Sequence, residues 1–166
     1  MGSVKTKREI VKIAGKHNEL ITVTDERGNI LQKMVKPVMV KFYSRDLMQV
    51  MVGASILAIP VAFTEETWKL GESLPLSNII GLMFISLIFI SGFVYYNYYK
   101  NRLREHKGEF VKRVITTYLV AFLVVTLLLT LIERAPWSSD YIVAFGRTVI
   151  VSFPAAMSAA VADMIK

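Results

Sequence analysis

The chain has 166 residues, is 54% hydrophobic, and carries a formal net charge of +7. That is too apolar for a disordered tail or a collagen-like chain. The absence of cysteine excludes disulfides, thiolate metal sites and cysteine nucleophiles. With only His17 and His106, no metal site and no cofactor is expected.

The first 46 residues are basic, with a net +5. No apolar stretch follows the positive start, so it does not read as a signal peptide. Met1 to Thr6 matches the N-myristoylation pattern at Gly2, but a multi-span chain needs no lipid anchor. Glu19–Thr24 alternates and is rich in β-branched residues. Asp25 to Gly28 then forms a turn whose glycine permits positive φ, and Asn29–Val35 resumes the apolar pattern. The expectation is a β-hairpin broken by Pro37, with Val38–Phe42 as a third strand or the approach to the first helix. So few strands are marginal alone. They need the basic 100–113 loop, a neighbouring subunit or a partner to pack on.

Four apolar blocks follow. Leu47–Phe63, Ile79–Tyr99 and Val114–Ile132 carry no charge, and Tyr141–Ala162 carries only Arg147. About 20 apolar residues cross about 30 Å of hydrocarbon as a helix, the form that satisfies its own backbone there. Too few residues remain to cover four such helices in a soluble bundle. The fold expected is therefore an all-α polytopic membrane protein with a small N-terminal β-hairpin on the cytoplasmic side. The helices are expected at about residues 45–66, 76–99, 110–132 and 140–164, and the domains at 1–43 and 44–166.

The connecting segments alternate in charge. Residues 64–78 carry −2, residues 100–113 carry +4, and residues 133–140 carry −1. Cytoplasmic loops favour Lys and Arg, so both termini are expected in the cytoplasm and both acidic loops outside. Tyr95, Tyr96, Tyr98 and Tyr99 then belong to the inner interface, and Trp68, Trp137 and Tyr141 to the outer one. A plasma-membrane location follows. The lipid bilayer accounts for the basic balance, and no nucleic acid is expected.

Within the spans, Pro60 frees the carbonyl of Ile56 and kinks the first helix, one turn before Glu65 and Glu66. Pro154 does the same in the fourth. Adjacent helical residues point about 100° apart, so Glu65 and Glu66 cannot both face one neighbour. A freed carbonyl near acids, repeated around an oligomer axis, would attract cations. Arg147 lies about 10 Å into the last span, where a charge costs about 2.5–3.5 kcal/mol unless it is paired or lines a cavity. Its candidate partners are Glu65, Glu66, Glu133 and Asp140. Gly53, Ala54 and Ala58 in the first helix, with Ala155 and Ala159 in the fourth, form close-packing faces. The fourth helix is expected at the bundle centre or at a subunit contact, and the third toward lipid. Asp163 and Arg45–Asp46 fall near the inner interface, within reach of pairing. No enzyme motif is present.

Arg45-Asp46, Gly53, Pro60 and the run Thr64-Glu65-Glu66-Thr67-Trp68-Lys69-Leu70-Gly71 resemble a prokaryotic family of integral membrane proteins of unknown function. The shared outer turn, Thr-x-Glu-x-Trp-x-x-Gly, maps to Thr64, Glu66, Trp68 and Gly71. The resemblance covers residues 45–71 and implies a polytopic protein without supplying an activity. The function expected is a homo-oligomeric cation channel or small transporter, with Glu65, Glu66 and Arg147 on the ion path and inorganic ions as cargo. The alternative is a membrane scaffold or regulatory subunit that docks a partner through its hairpin.

Overall fold

A computed structural model describes residues 5–13, 16–25, 28–37, 44–100, 103–104 and 106–165. The chain divides into two compact units, Met1–Lys41 and Phe42–Lys166.

The first unit is a three-stranded antiparallel sheet of β1 (Lys5–Ile13), β2 (Lys16–Thr24) and β3 (Ile30–Pro37), in that spatial order. The expected hairpin is β2–β3. Gly28 takes φ 82°, its N–H donates to the Asp25 carbonyl at 2.9 Å, and Asp25 N–H donates to the Asn29 carbonyl at 2.9 Å. Ile21 opposes Met34 and Leu20 opposes Val35, with a register shift at Val23/Thr24. The third strand precedes the hairpin, and pairs Arg8 with Ile21 and Glu9 with Leu20. Its charged, weakly alternating run KTKREIVKI hid it. The segment Val38–Phe42, expected as strand or helix approach, lies outside the described residues, as does Gly2.

The second unit is helical. Its elements are α1 (Ser44–Ala62), α2 (Glu65–Ser73), α3 (Leu76–Val94), α4 (Lys107–Leu131) and α5 (Tyr141–Met164). A π-helical turn, Tyr95–Tyr99, extends α3. Four helices are long and apolar enough to cross a membrane: α1, α3 with its π-turn, α4 and α5.

The first helix does not run to residue 66. It ends two residues after Pro60, and Thr64 adopts extended backbone as the residue before α2. The Thr64 hydroxyl donates to the Val61 carbonyl at 2.8 Å and lies 2.7 Å from the Thr67 hydroxyl. Glu65 and Glu66 therefore occupy the first turn of a separate helix, where its dipole favours negative charge. At the other acidic connection Asp140 caps α5, accepting from Ile142 and Val143 N–H at 3.1 Å each.

As expected, α5 is the central helix. Fully 56% of its apolar window is buried, and it packs against α1, α2, α3 and α4. The helix most open to lipid is α3, at 22%, and not α4, at 33%. The scarcity of small residues in α4 is a poor guide, because a stripe at every fourth position, from Arg113 to Leu129, is buried whatever the residue size. Pro154 lies within an unbroken α5.

Small residues set the α1–α5 approach. Ala54, Ala58, Ala155 and Ala159 are fully buried. A Cβ added to Gly53 would fall 2.3 Å from the Ala162 Cβ and 3.0 Å from both the Ala159 Cα and the Ser158 carbonyl. None of these atoms can swing away. Gly53→Ala is thus expected to lower stability by about 1–3 kcal/mol. Gly81→Ala, where an added Cβ meets nothing within 4 Å, should leave the unfolding midpoint in detergent unchanged. Equal midpoints for the two variants would contradict this packing.

Candidate functional site

Two buried arginines anchor opposite ends of α5. The one toward its N-terminal end is Arg147. Its Nε–H donates to the Trp68 carbonyl at 3.2 Å and its Nη1–H to the Arg134 carbonyl at 2.7 Å. Its Nη2–H pairs with the Glu72 carboxylate. The arginine side chain is 10% exposed, whereas Glu72 is 60% exposed. The charge is therefore held by two carbonyls and by a carboxylate that stays wet.

The turn from α1 into α2 builds this cradle. The Trp68 indole N–H donates to the Ala62 carbonyl at 2.7 Å, tying α2 back to the end of α1. The Arg134 guanidinium lies 3.9 Å from the Trp68 ring centroid. Gly71 lets α2 approach α5, since a Cβ there would fall 2.3 Å from the Arg147 Cγ and 3.1 Å from its backbone N. Gly146 completes the contact, an added Cβ there falling 3.1 Å from the Gly71 carbonyl. The Arg134 carbonyl is presented by the end of α4. Glu133 takes left-handed φ 57°, with Glu133 N–H donating to Thr130 and Arg134 N–H to Leu129. This is the Schellman arrangement, with glutamate where glycine is usual.

The three expected ion-path residues do not converge. Arg147 takes Glu72 rather than Glu65, Glu66, Glu133 or Asp140 as its acid. Glu65 pairs with Lys69 on its own helix at 2.9 Å. Glu66 is exposed and, among the described residues, forms no ion pair. Pro60 is likewise exposed. Asp140 serves α5 as its cap.

The second cluster was not foreseen around its true centre. Arg113 of α4 is fully buried. It pairs with Asp46 of α1 through Nη2 at 3.2 Å and with Asp163 of α5 through Nε at 3.2 Å. Its guanidinium lies 4.0 Å from the Tyr98 ring centroid, and the Tyr98 hydroxyl donates to the Asp163 carbonyl at 2.8 Å. The π-turn thus brings Tyr98 to the arginine while Tyr99, fully buried, meets Phe110 edge-on at 5.4 Å. Tyr95 and Tyr96 remain exposed. All four spans meet at this cluster. The pairing considered between Asp163 and Arg45–Asp46 takes a different form: Arg113 supplies the cation for both Asp46 and Asp163, while Arg45 is exposed.

Between the clusters, Thr126 and Thr130 donate back to carbonyls of their own helix. Ser86 and Ser152 are buried and, among the described residues, have no hydrogen-bond partner. No group of His, Asp and Glu among the described residues is arranged to hold a metal ion. The chemistry available at both arginines is ion pairing and carbonyl capture, which joins helices.

Residues 13–165 match the model of the family described as "Putative integral membrane protein (DUF2391)". The chain belongs to this family. Membership extends the resemblance seen at residues 45–71 over both units, and with the four apolar helices it makes the chain an integral membrane protein. No curated protein and no solved structure matches it. In this chain, the Trp68 carbonyl and the missing side chain of Gly71 receive Arg147.

Proposed function

We propose that this protein is a non-catalytic membrane-anchored docking subunit, whose sheet captures an extended segment of a partner along the free edge of β3. The observation that carries this reading is the run of exposed apolar side chains along the β3 edge. Ile30, Leu31, Met34 and Val35 are exposed beside Lys33, with Leu31 60% and Val35 52% exposed. On the β1 edge Lys7 and Glu9 pair at 2.6 Å, which holds the Glu9 carboxyl below its usual range. Leu31 and Val35 share one face of the strand, and Ile30 and Met34 the other. An added strand would bury both pairs while its backbone completes the ladder. The partner suited to it is an extended acidic segment with alternating apolar residues, because residues 1–46 carry net +5.

The orientation that goes with this reading puts the basic ends of the spans, and hence the sheet, in the cytoplasm at the plasma membrane. The helical unit supplies the anchor. Its buried arginines, Arg113 and Arg147, are engaged in pairs within the chain, which supports an anchoring role for this unit.

The test compares the full chain with a Leu31→Lys/Val35→Lys variant, both in native membranes, by quantitative co-purification. Specific partners retained by the wild type are expected to fall about tenfold or more in the variant, the scale of losing two apolar anchors. Membrane insertion should not change. An identical set of partners at identical yield would overturn the proposal.

A further inference from the structure

An open groove of about 510 Å³ runs between α3 and α5, lined by Ile88, Phe89 and Gly92 on one side and Met157, Ala160 and Val161 on the other. Its lining is almost wholly apolar. Gly92 faces the open space of the groove, since a Cβ built there meets nothing within 4 Å. Phe89 of the lining meets Phe153 of α5 edge-on at 6.2 Å, on the side toward the bilayer centre. The other end leads out along α3. Ile88, Gly92 and Tyr96 recur at intervals of four and so form one stripe, about 12 Å long. Four residues further on, the Lys100 ammonium lies 4.7 Å from the Tyr96 ring centroid. Both Tyr96 and Lys100 are exposed.

We propose that this groove is a binding site for an anionic phospholipid of the leaflet at the basic end of the bundle. One acyl chain lies in the groove between Gly92 and Ala160, and the phosphate sits at Lys100. The charge decides between occupants. Lys100 opens the segment 100–113, whose net charge is +4 and which attracts anionic headgroups. A second copy seated here across a two-fold axis would bring its own Lys100 to the same depth, like charge against like. A phosphate complements that end. The apolar lining, the stripe along α3 and the Lys100 ammonium at its end match one lipid chain with its headgroup at the interface.

The experiment is native mass spectrometry of the full-length protein in detergent, titrated with dioleoyl phosphatidylglycerol or dioleoyl phosphatidylcholine. Wild type is expected to retain the anionic lipid about fivefold better, the scale of one lysine beside an anionic headgroup. Lys100→Gln should equalise the two lipids. Gly92→Phe, which enters open space, should lower retention of both by about tenfold, as excluding roughly two methylenes would. Equal retention by the wild type, or unchanged retention by either variant, overturns the proposal. Lys100→Gln alters an exposed side chain and keeps the test meaningful should Gly92→Phe fold poorly. The chain has no native cysteine, so Gly92→Cys provides a clean check. Disulfide-linked dimers formed in membranes would assign the groove to a second copy and overturn lipid binding. A monomeric product supports it.

Discussion

Replacing Arg113 with methionine is expected to cost about 3–5 kcal/mol, enough to leave little folded protein after detergent extraction. The guanidinium is the cation that Asp46 and Asp163 share, both at 3.2 Å and both buried. Removing it keeps the volume but takes away the countercharge, and the penalty of a lone buried charge greatly exceeds the net worth of a pair. The triple variant Asp46→Asn/Arg113→Met/Asp163→Asn removes all three charges and should regain most of the loss. Thermal unfolding followed by tryptophan fluorescence reads both. A triple variant no better than Arg113→Met would mean that the cluster is held by something other than its charges.

At the Arg147 end the expected effects divide differently. Arg147→Gln leaves the Trp68 and Arg134 carbonyls without their donor and should cost about 2–3 kcal/mol. Glu72→Gln should cost under about 1 kcal/mol, because that carboxylate is 60% exposed and an ion pair there is screened. Gly71→Ala should resemble Arg147→Gln, since its Cβ would strike the Arg147 Cγ and crowd its backbone. A residue of an ion path would behave in the opposite way, with Glu72 and Glu66 controlling flux and stability barely affected. Equal losses for Glu72→Gln and Arg147→Gln would contradict the carbonyl-clamp description.

The four spans were legible because hydrocarbon demands apolar runs of about 20 residues, and charge marks their ends. The β2–β3 hairpin was legible from Gly28 and the alternation around it. What stayed hidden had its signal masked by another. Arg113 stands in a run of basic residues that topology already explains. Yet Arg113, Thr117, Ala121, Val125 and Leu129 recur at every fourth position, and all five are fully buried. That stripe, carried one turn past the apolar block, marks Arg113 as the cation that turns inward. Glu72 was passed over because α2 was not expected as a helix. Once a helix starts at Glu65, Trp68, Gly71 and Glu72 fall on one face and can all meet Arg147. The break itself follows from Pro60 and the extended backbone of Thr64, read beforehand as a kink within one longer helix. Small residues foretold the close packing of α1 on α5, whereas helix exposure was misjudged in α3 and α4, where residue size is a poor guide to which face is covered.

The proposal that function resides at the β3 edge rather than in a path through the bundle is tested most directly by position-resolved photo-crosslinking. A crosslinking amino acid is placed in turn at Leu31, Val35, Lys7 and Glu9 of the full chain in native membranes. The account predicts one and the same partner protein captured from Leu31 and Val35, with neither Lys7 nor Glu9 capturing it. Crosslinks from Leu31 and Val35 that lead only to lipid or back into the same chain would contradict it.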